Sequence, residues 1–334
     1  MKNKNPYILA VIALLSLVAG FCIHAVVDPK DPDRDYHIAF ERNYRIFTPD
    51  LPVSADFAGE KAPLDNILVR ESLDREIMAG TFMHSSTNLM FKRAHRWFPV
   101  IEPILKQNNI PDDFKYLAVA ESNISNVVSP SHAEGFWQFL KPTGQKYGLE
   151  ITEEVDERYN LEKATSAACH YFKDAYAKYK SWALVAASYN RGMDALSDAI
   201  ASQKADNYYD LYLVEETARY VFRILALKEI YLHPVLYGFY LREKDFYPVI
   251  PTYSVTVDST ITDLPAFAKK MNVNYKVMRE FNPWIRRYNL PNKTNKAYTF
   301  LLPKDASLSY ETLRKSLRET DLFYHDTLHF QDIH

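Results

Sequence analysis

One carboxyl group in the sequence lies where an acid catalyst is expected. The helix-start signal Pro111-Asp112-Asp113 precedes the apolar residues Phe114, Leu117 and Ala118, which recur at helical spacing. Glu121 occupies the next position of the same stripe. Burial removes water from a carboxyl group and raises its pKa, as a general acid requires near neutral pH. Glu121 is therefore a candidate general acid, and a glutamate that points into water at a frayed helix end is the alternative.

A glycine- and aromatic-rich segment follows Glu121. The chain has 8 glycines, and four of them lie close together: Gly135, Gly144, Gly148 and Gly192. Glycine is kept where the backbone needs a positive φ or approaches a ligand closely. Gln138 lies between aromatic residues, and aromatic faces with a few amides suit a sugar-binding groove. The same pattern also fits a helix that packs its aromatic side chains into the core and leaves Gln138 in solvent.

Other chemistries find no support in the sequence. It has no phosphate-binding glycine loop, no His-Glu-x-x-His and no Gly-x-Ser-x-Gly motif. Its histidines are scattered, and Cys169-His170 lacks the spacing of metal ligands, so Cys169 is expected in the core. Forty basic residues against 42 acidic ones give a net charge of −2, whereas nucleic-acid binders usually have a basic excess. We expect no cofactor, no metal and no nucleic-acid partner.

Residues 1–27 have the composition of an export signal or membrane anchor. Two lysines precede an apolar run from Tyr7 to Val27, which suits a cleaved signal peptide and is long enough for an uncleaved anchor. Lipid attachment at Cys22 is disfavoured because Phe21 stands where a small residue is needed. In each case the folded part is exported to the cell envelope, which predicts a periplasmic protein, with membrane attachment as an open alternative.

The rest of the chain divides into four parts by pattern. Residues 28–63 are interpreted as a linker and an irregular arm, and residues 64–245 as an all-helical domain in which Pro99 and Pro103 break or restart a helix. Residues 250–304 predict a small β-α-α-β domain, and residues 305–334 form a tail without an assigned role. The fold class is mainly α, with a small α+β domain. Within the helical domain we expect helices at 161–179, 181–190, 193–203 and 214–232.

Five short motifs occur in the order found in soluble-lytic-transglycosylase-like domains. They are Glu121-Ser122, Gly135-Phe136-Trp137-Gln138-Phe139, Tyr147-Gly148-Leu149, Ala187-Ser188-Tyr189-Asn190-Arg191-Gly192 and Glu216-Thr217-Ala218-Arg219-Tyr220-Val221. Residues 90–232 therefore resemble this family, which is similar to goose-type lysozymes. The resemblance implies a lysozyme-like helical domain with a groove for the glycan strands of peptidoglycan.

The resemblance also implies a reaction. Such enzymes cleave the β-1,4 bond between N-acetylmuramic acid and N-acetylglucosamine and form a 1,6-anhydro sugar. Glu121 would be the acid and then the base, so that the second carboxylate of most glycosidases is not needed. By the same resemblance, the substrate groove would be lined or supported by Ser122, Gln138, Tyr189, Asn190, Glu216 and Tyr220.

The sequence departs from this family at a few positions. Ser188 and Arg191 flank Tyr189-Asn190 where many relatives have alanine, and the charge of Arg191 could meet the peptide stem or the lactyl group. The C-terminal β-α-α-β unit resembles a divergent LysM module in its segments 258–261 and 282–285, although it lacks glycine. It could bind glycan or act as a structural cap.

Two other functions stay open at this stage. A hydrolysing muramidase on the same fold would need a second carboxylate or a positioned water. A non-catalytic envelope protein would bind glycan strands without turnover. The carboxylates close enough in sequence to serve the first alternative are Glu134, Glu153, Glu154 and Asp156.

Overall fold

The computed structural model describes residues 46–315, and the structural statements below refer to this part of the chain. The leader at 1–27, most of the linker and the end of the tail lie outside it. In chain order the helices are α1 (Ile67–Phe82), α2 (His84–Gln107), α3 (Lys115–Ser122), α4 (Lys141–Lys146), α5 (Leu161–Tyr179), α6 (Trp182–Arg191), α7 (Met193–Gln203), α8 (Glu215–Leu232), α9 (Leu264–Lys270), α10 (Tyr275–Phe281) and α11 (Tyr310–Arg314). The strands are β1 (Asp56–Phe57), β2 (Glu60–Lys61), β3 (Thr252–Val257) and β4 (Tyr298–Pro303).

The large helical core confirms the mainly α fold class. Helix α8 packs against α1, α3 and α6, while α5 packs against α2 and α6. The helices begin where the sequence offers capping side chains: Asn160 accepts from the backbone of α5, and Ser181 from that of α6. Helices α5 and α7 have the predicted bounds, and Cys169 is fully buried in this core.

The prediction that Pro99 and Pro103 break a helix is wrong. Both lie inside α2, which continues without interruption to Gln107. Each proline removes a backbone hydrogen bond of the helix. The buried stripe of α2 runs past both prolines and includes Phe98, Ile101 and Leu105, so tertiary packing outweighs this local cost.

The arm expected to be irregular contains an antiparallel hairpin, β1–β2, before residue 63. Phe57 in this hairpin is fully buried against the helical core. The Glu60 carboxylate accepts hydrogen bonds from the Ser181 hydroxyl at 2.9 Å and from the backbone N–H of Trp182 at 2.6 Å. A carboxylate at a helix N-terminus is favourable, so the hairpin caps α6 from a distant part of the chain.

The C-terminal β-α-α-β order is confirmed. Strands β3 and β4 pair antiparallel over their whole length, with α9 and α10 between them in the chain. Buried side chains from both strands and both helices form a second core around Trp284 and Phe300. The Asn282 side chain accepts from the Leu301 N–H at 2.8 Å and donates to the Leu301 carbonyl, which ties the end of α10 to β4.

This second core also includes residues of the helical domain. Val155 and Tyr159 are buried in it, and the Arg286 guanidinium lies 4.2 Å from the centroid of the Tyr159 ring. Backbone hydrogen bonds join the same two regions: Asp156 N–H donates to the Trp284 carbonyl at 2.8 Å, and Arg286 N–H to the Glu154 carbonyl at 2.7 Å. The C-terminal module is therefore docked rigidly on the segment 150–159.

Within residues 46–315, no helix combines the length and the apolar character needed to cross a bilayer.

Candidate active site

Glu121 lies in the last turn of α3, a helix whose other residues are largely buried. Leu117 and Ala118 are fully buried below it, and the Glu121 side chain itself is partly exposed. The helix ends at Asn123 and Ile124, both with positive φ, which turns the chain away directly after the carboxyl group. The stripe predicted from the sequence is thus present, with Glu121 at its open end.

The environment of Glu121 holds its pKa near neutrality. The pKa is raised from 4.5 to about 7, and burial is the largest cause. The hydrogen bond from Tyr220 and the charge of Arg223 act in the opposite direction, while the charge of Glu216 adds to the rise. The desolvation expected from the sequence is therefore present, and the carboxyl group can both release and regain a proton near pH 7.

Two tyrosines surround this carboxyl group from other helices. Tyr220 on α8 is buried, and its hydroxyl donates a hydrogen bond to Glu121 Oε1. Tyr189 on α6 donates its hydroxyl to the Trp137 carbonyl at 2.7 Å instead. Burial raises the pKa of both phenols well above 10, and the charge of Glu121 adds to this effect, so both tyrosines keep their protons.

Asn190 is oriented by the first turn of α8. Its Nδ2 donates to Glu216 Oε1 at 3.1 Å, and its Oδ1 accepts from the Thr217 hydroxyl at 2.8 Å. These two bonds fix which end of the amide is the donor and which is the acceptor. Glu216 thus contacts Asn190, as a supporting residue would.

Ser122 and Gln138 contact the loop between α3 and α4. The buried Ser122 hydroxyl donates to the Phe136 carbonyl at 2.8 Å. Gln138 Nε2 donates to the carbonyls of Gly135 at 2.8 Å and Val127 at 3.0 Å. These contacts indicate that both side chains shape the loop, and their direct contact with substrate stays a prediction.

Sequence reasoning missed Arg158, which anchors this loop from beneath. Its guanidinium pairs with Asp156 at 2.6 Å and Glu134 at 3.0 Å, and it donates to the carbonyls of His132 and Phe139, both at 3.2 Å. Its own carbonyl approaches the loop so closely that a Cβ on Gly135 would lie 2.1 Å away. No local pattern marks this arginine, because its partners are brought together by the loop.

A second group that sequence reasoning missed is a set of ion pairs between α1 and α8, the helix that carries Tyr220. Glu76 on α1 is buried and pairs with Arg219 at 2.6 Å and Arg223 at 3.7 Å, both on α8. Arg223 in turn lowers the pKa of Glu121. Glu76 falls on the apolar stripe of α1 between Leu73 and Ile77, so the signal that selected Glu121 could have selected it too.

The four carboxylates considered for a hydrolytic mechanism have other surroundings. Glu134 and Asp156 pair with Arg158, and Glu153 pairs with Arg287 at 3.1 Å on the surface. Glu154 follows Glu153 in the segment that contacts the C-terminal module. None of the four contributes to the pKa of Glu121, whereas Glu216 does. In residues 46–315 no cluster of histidine, cysteine or acidic side chains could hold a metal ion.

Comparison with known families gives the class of the two domains. Residues 98–212 match the Transglycosylase SLT domain, and residues 253–306 match the soluble lytic transglycosylase C-terminal LysM-like domain. The chain therefore carries an SLT transglycosylase domain followed by a LysM-like domain, which confirms both resemblances. The first match contains Glu121, Gln138, Tyr189 and Asn190.

Individual relatives point the same way. The chain is similar to the membrane-bound lytic murein transglycosylase D of two strains of Escherichia coli. Each is 25% identical over 264 residues, which cover 77% of this chain and 56% of the relative. The match thus spans little more than half the length of these curated relatives.

Proposed function

We propose that this chain is a peptidoglycan lytic transglycosylase that cleaves the β-1,4 bond between N-acetylmuramic acid and N-acetylglucosamine. The observation that carries the proposal is the Glu121 carboxyl group, with a pKa of about 7 and a hydrogen bond from Tyr220. The SLT domain match and the similarity to a lytic murein transglycosylase support the same reaction class.

In the first step Glu121 acts as a general acid. The Tyr220 hydroxyl donates to Oε1, so the proton of the neutral acid resides on Oε2. Oε2 donates this proton to the glycosidic oxygen as the bond to C1 of the muramyl residue breaks. N-acetylglucosamine leaves with a free 4-hydroxyl group, and positive charge develops on the muramyl ring.

In the second step the Glu121 carboxylate acts as a base. It accepts the proton of the muramyl 6-hydroxyl while the oxygen attacks C1, which closes the 1,6-anhydro ring and regenerates the acid. The hydrogen bond from Tyr220 strengthens when its acceptor is ionised and so stabilises the carboxylate between the two steps. No water is consumed, and therefore a second carboxylate is not needed.

The remaining site residues would hold and orient the substrate in the groove. Asn190, oriented by Glu216 and Thr217, and Tyr189 would contact the acetamido group and the ring that carries the developing charge. Ser122 and Gln138 would define the wall of the groove through the loop that they hold. The LysM-like domain would add affinity for the glycan strand or serve as a structural cap.

The proposed location is the cell envelope. The apolar leader supports export to the periplasm as a cleaved signal peptide or a retained anchor. The relatives' printed description as membrane-bound supports attachment to a membrane.

Mass spectrometry of the fragments released from purified peptidoglycan tests the reaction. We expect disaccharide products that are lighter by one water than those of a hydrolase, and none with Glu121→Gln. Tyr310→Phe on the exposed surface of α11 is a control that should leave the products unchanged.

Each other result excludes the proposal. Fully hydrated reducing ends would identify a hydrolysing muramidase. Glycan binding without any product from the unmodified chain would identify a non-catalytic binding protein. Anhydro products from Glu121→Gln at the normal rate would show that another residue is the acid.

A further inference from the structure

A cleft of about 450 Å³ lies between the SLT domain and the LysM-like domain. Helix α2 forms one wall, and the C-terminal end of α10 with the following turn forms another. Its volume is in the range of small-ligand sites. The lining combines cations, aromatic rings and an amide, chiefly Arg93, Arg96, Trp97, Asn126, Tyr247 and Trp284.

Two arginines on one face of α2 supply positive charge to this cleft. Arg93 donates to the Asn123 carbonyl at 3.0 Å, and Arg96 donates through Nε to the Pro248 carbonyl at 2.9 Å. The Arg96 guanidinium lies 5.1 Å from the centroid of the Tyr247 ring. In the described part of the chain, no carboxylate lies within 4.0 Å of either guanidinium. The arginines that form ion pairs there are different ones.

A partly buried cation without a counter-ion is unfavourable unless a ligand supplies the negative charge. Burial lowers the pKa of Arg96, with Tyr247 acting in the opposite direction, so the guanidinium has lost hydration without gaining a carboxylate. Its terminal nitrogens match the geometry of a carboxylate, which can accept two parallel hydrogen bonds from them.

The acidic residues of the cleft restrict the ligand further. Glu162 and Glu280 also line it, outside ion-pair distance of both arginines. A ligand with carboxylates at one end and an ammonium group elsewhere fits both signs of charge. The aromatic rings between them suit the aliphatic parts of a short peptide better than a small inorganic anion.

The cleft is close to the candidate active site along the chain. Ile124, which lines it, is three residues from Glu121, so their Cα atoms are at most about 11 Å apart. An extended peptide spans up to about 3.5 Å per residue, so three or four residues bridge this distance.

We propose that this cleft binds the peptide stem of a muramyl residue held in the neighbouring groove, with Arg93 and Arg96 on its carboxylates. The inference rests on the proposed function, because it takes the muramyl residue to be at Glu121. The interdomain junction would then favour strands that carry peptides over denuded strands.

Calorimetric titration of the full chain with a free stem peptide tests the cleft without turnover. The probe is the tetrapeptide L-alanyl-γ-D-glutamyl-meso-diaminopimelyl-D-alanine, compared with the same peptide after amidation of its carboxylates. We expect the free acid to bind at least about tenfold more tightly than the amide, because hydrogen bonds to charged groups are the stronger ones. Equal affinity for both peptides would overturn the inference and needs no variant.

Variants then locate the binding site. Arg96→Gln should weaken binding of the free acid by about tenfold or more, and Arg96→Lys by less. Arg70→Gln on the exposed face of α1 removes the same charge outside the cleft and should have no effect. Equal losses from Arg96→Gln and Arg70→Gln would contradict the assignment.

Activity separates this inference from the proposed function. Arg96→Gln should slow release of anhydro products from peptide-bearing strands and leave the rate on denuded strands unchanged. Release of anhydro products, together with equal affinity for the free-acid and the amidated peptide, would overturn the peptide-binding role of the cleft and leave the proposed reaction intact. Tight binding of the free-acid peptide without anhydro products would overturn the proposed reaction while the cleft remains a peptide site.

Discussion

The Glu121 carboxyl group is balanced between two opposing influences. Burial favours its neutral form, and the hydrogen bond from Tyr220 favours its charged form. A group that must first give and then take a proton works best when neither form dominates. In the proposed reaction, the Tyr220 hydroxyl would therefore be as important to the second step as burial of Glu121 is to the first.

Removing the Tyr220 hydroxyl should move the pH dependence of the reaction upward. The bond lowers the pKa of Glu121, so Tyr220→Phe raises it, and the acid stays protonated to higher pH. We expect a lower maximal rate and a descending, alkaline limb of the pH–rate profile that is shifted to higher pH, because that limb reports the loss of the Glu121 proton. Tyr189→Phe is the control, because its hydroxyl donates to the Trp137 carbonyl, and a similar shift there would contradict the assignment.

Glu121 should also cost stability when it is ionised. Its pKa is raised in the folded state, so the group does not reduce the free energy of unfolding below pH 4.5. That free energy falls as the pH rises through about 7. The shift from 4.5 to about 7 corresponds to an upper limit of about 3 kcal/mol. Urea unfolding of Glu121→Gln should show greater stability than the unmodified chain at pH 8 and no gain at pH 4. The same gain at both pH values would contradict this explanation.

At the scale of elements, the loop between α3 and α4 depends on one close backbone contact. Gly135 has a φ of +84°, and a Cβ there would lie 2.1 Å from the Arg158 carbonyl oxygen. Arg158 also holds the loop through His132 and Phe139, so displacement of this carbonyl would disturb Gln138 and the proposed groove wall.

Gly135→Ala should therefore be far more harmful than Gly148→Ala. Gly148 has a similar φ of +89° with nothing within 4 Å of an added Cβ, so it measures backbone strain alone, about 1 kcal/mol. Because the clash adds to this strain, we expect Gly135→Ala to reduce the free energy of unfolding in urea by about 3 kcal/mol or more. We also expect it to remove most activity. Equal losses at the two positions would show that the contact with Arg158 is unimportant.

Local patterns predicted most helices but not the exceptions. Periodicity and capping residues located α5 and α7, because both signals lie within the helix itself. Pro99 and Pro103 misled the interpretation because proline is judged locally, whereas the buried stripe of α2 acts at long range. The hairpin was missed because its strands have two residues each, too few for a strand pattern.

The candidate site divides in the same way, into residues marked by a local pattern and residues whose partners are distant in the sequence. Glu121 was selected because it continues a periodic stripe, and the structure shows the burial that this stripe predicts; its role as the acid stays a prediction. Glu76 and Arg158 were not found, because their roles depend on partners that only the tertiary structure brings near. The family motifs supplied Tyr189, Asn190, Glu216 and Tyr220, which no spacing rule would have selected.

At the scale of the whole molecule, the two domains share hydrophobic side chains. Val155 and Tyr159 belong by sequence to the SLT domain but are buried in the core of the LysM-like domain. The sequence pattern gives no sign of this junction, because a side chain buried by a neighbouring domain has no distinct spacing.

Residues 49–315 should accordingly unfold as one cooperative unit. We expect scanning calorimetry to give a single transition whose calorimetric and van't Hoff enthalpies agree. Trp284→Ala should shift that single transition to lower temperature and reduce the free energy of unfolding by about 3 to 5 kcal/mol. The reason is that Trp284 is buried beside Tyr298 and Phe300. Tyr288→Ala, at an exposed ring, should cost much less. Two separate transitions would show that the domains are independent.

The shared core also has a consequence for folding while the chain emerges from its N-terminus, whether from the ribosome or from an export channel. Domains generally fold from the N-terminus as they emerge, and the segment 150–159 emerges long before β3, α9, α10 and β4. Until those elements are made, Val155 and Tyr159 have no cover, and the Asp156 N–H lacks the Trp284 carbonyl as its acceptor. The SLT domain is thus completed only after β4 has emerged, and until then the chain carries an exposed apolar surface.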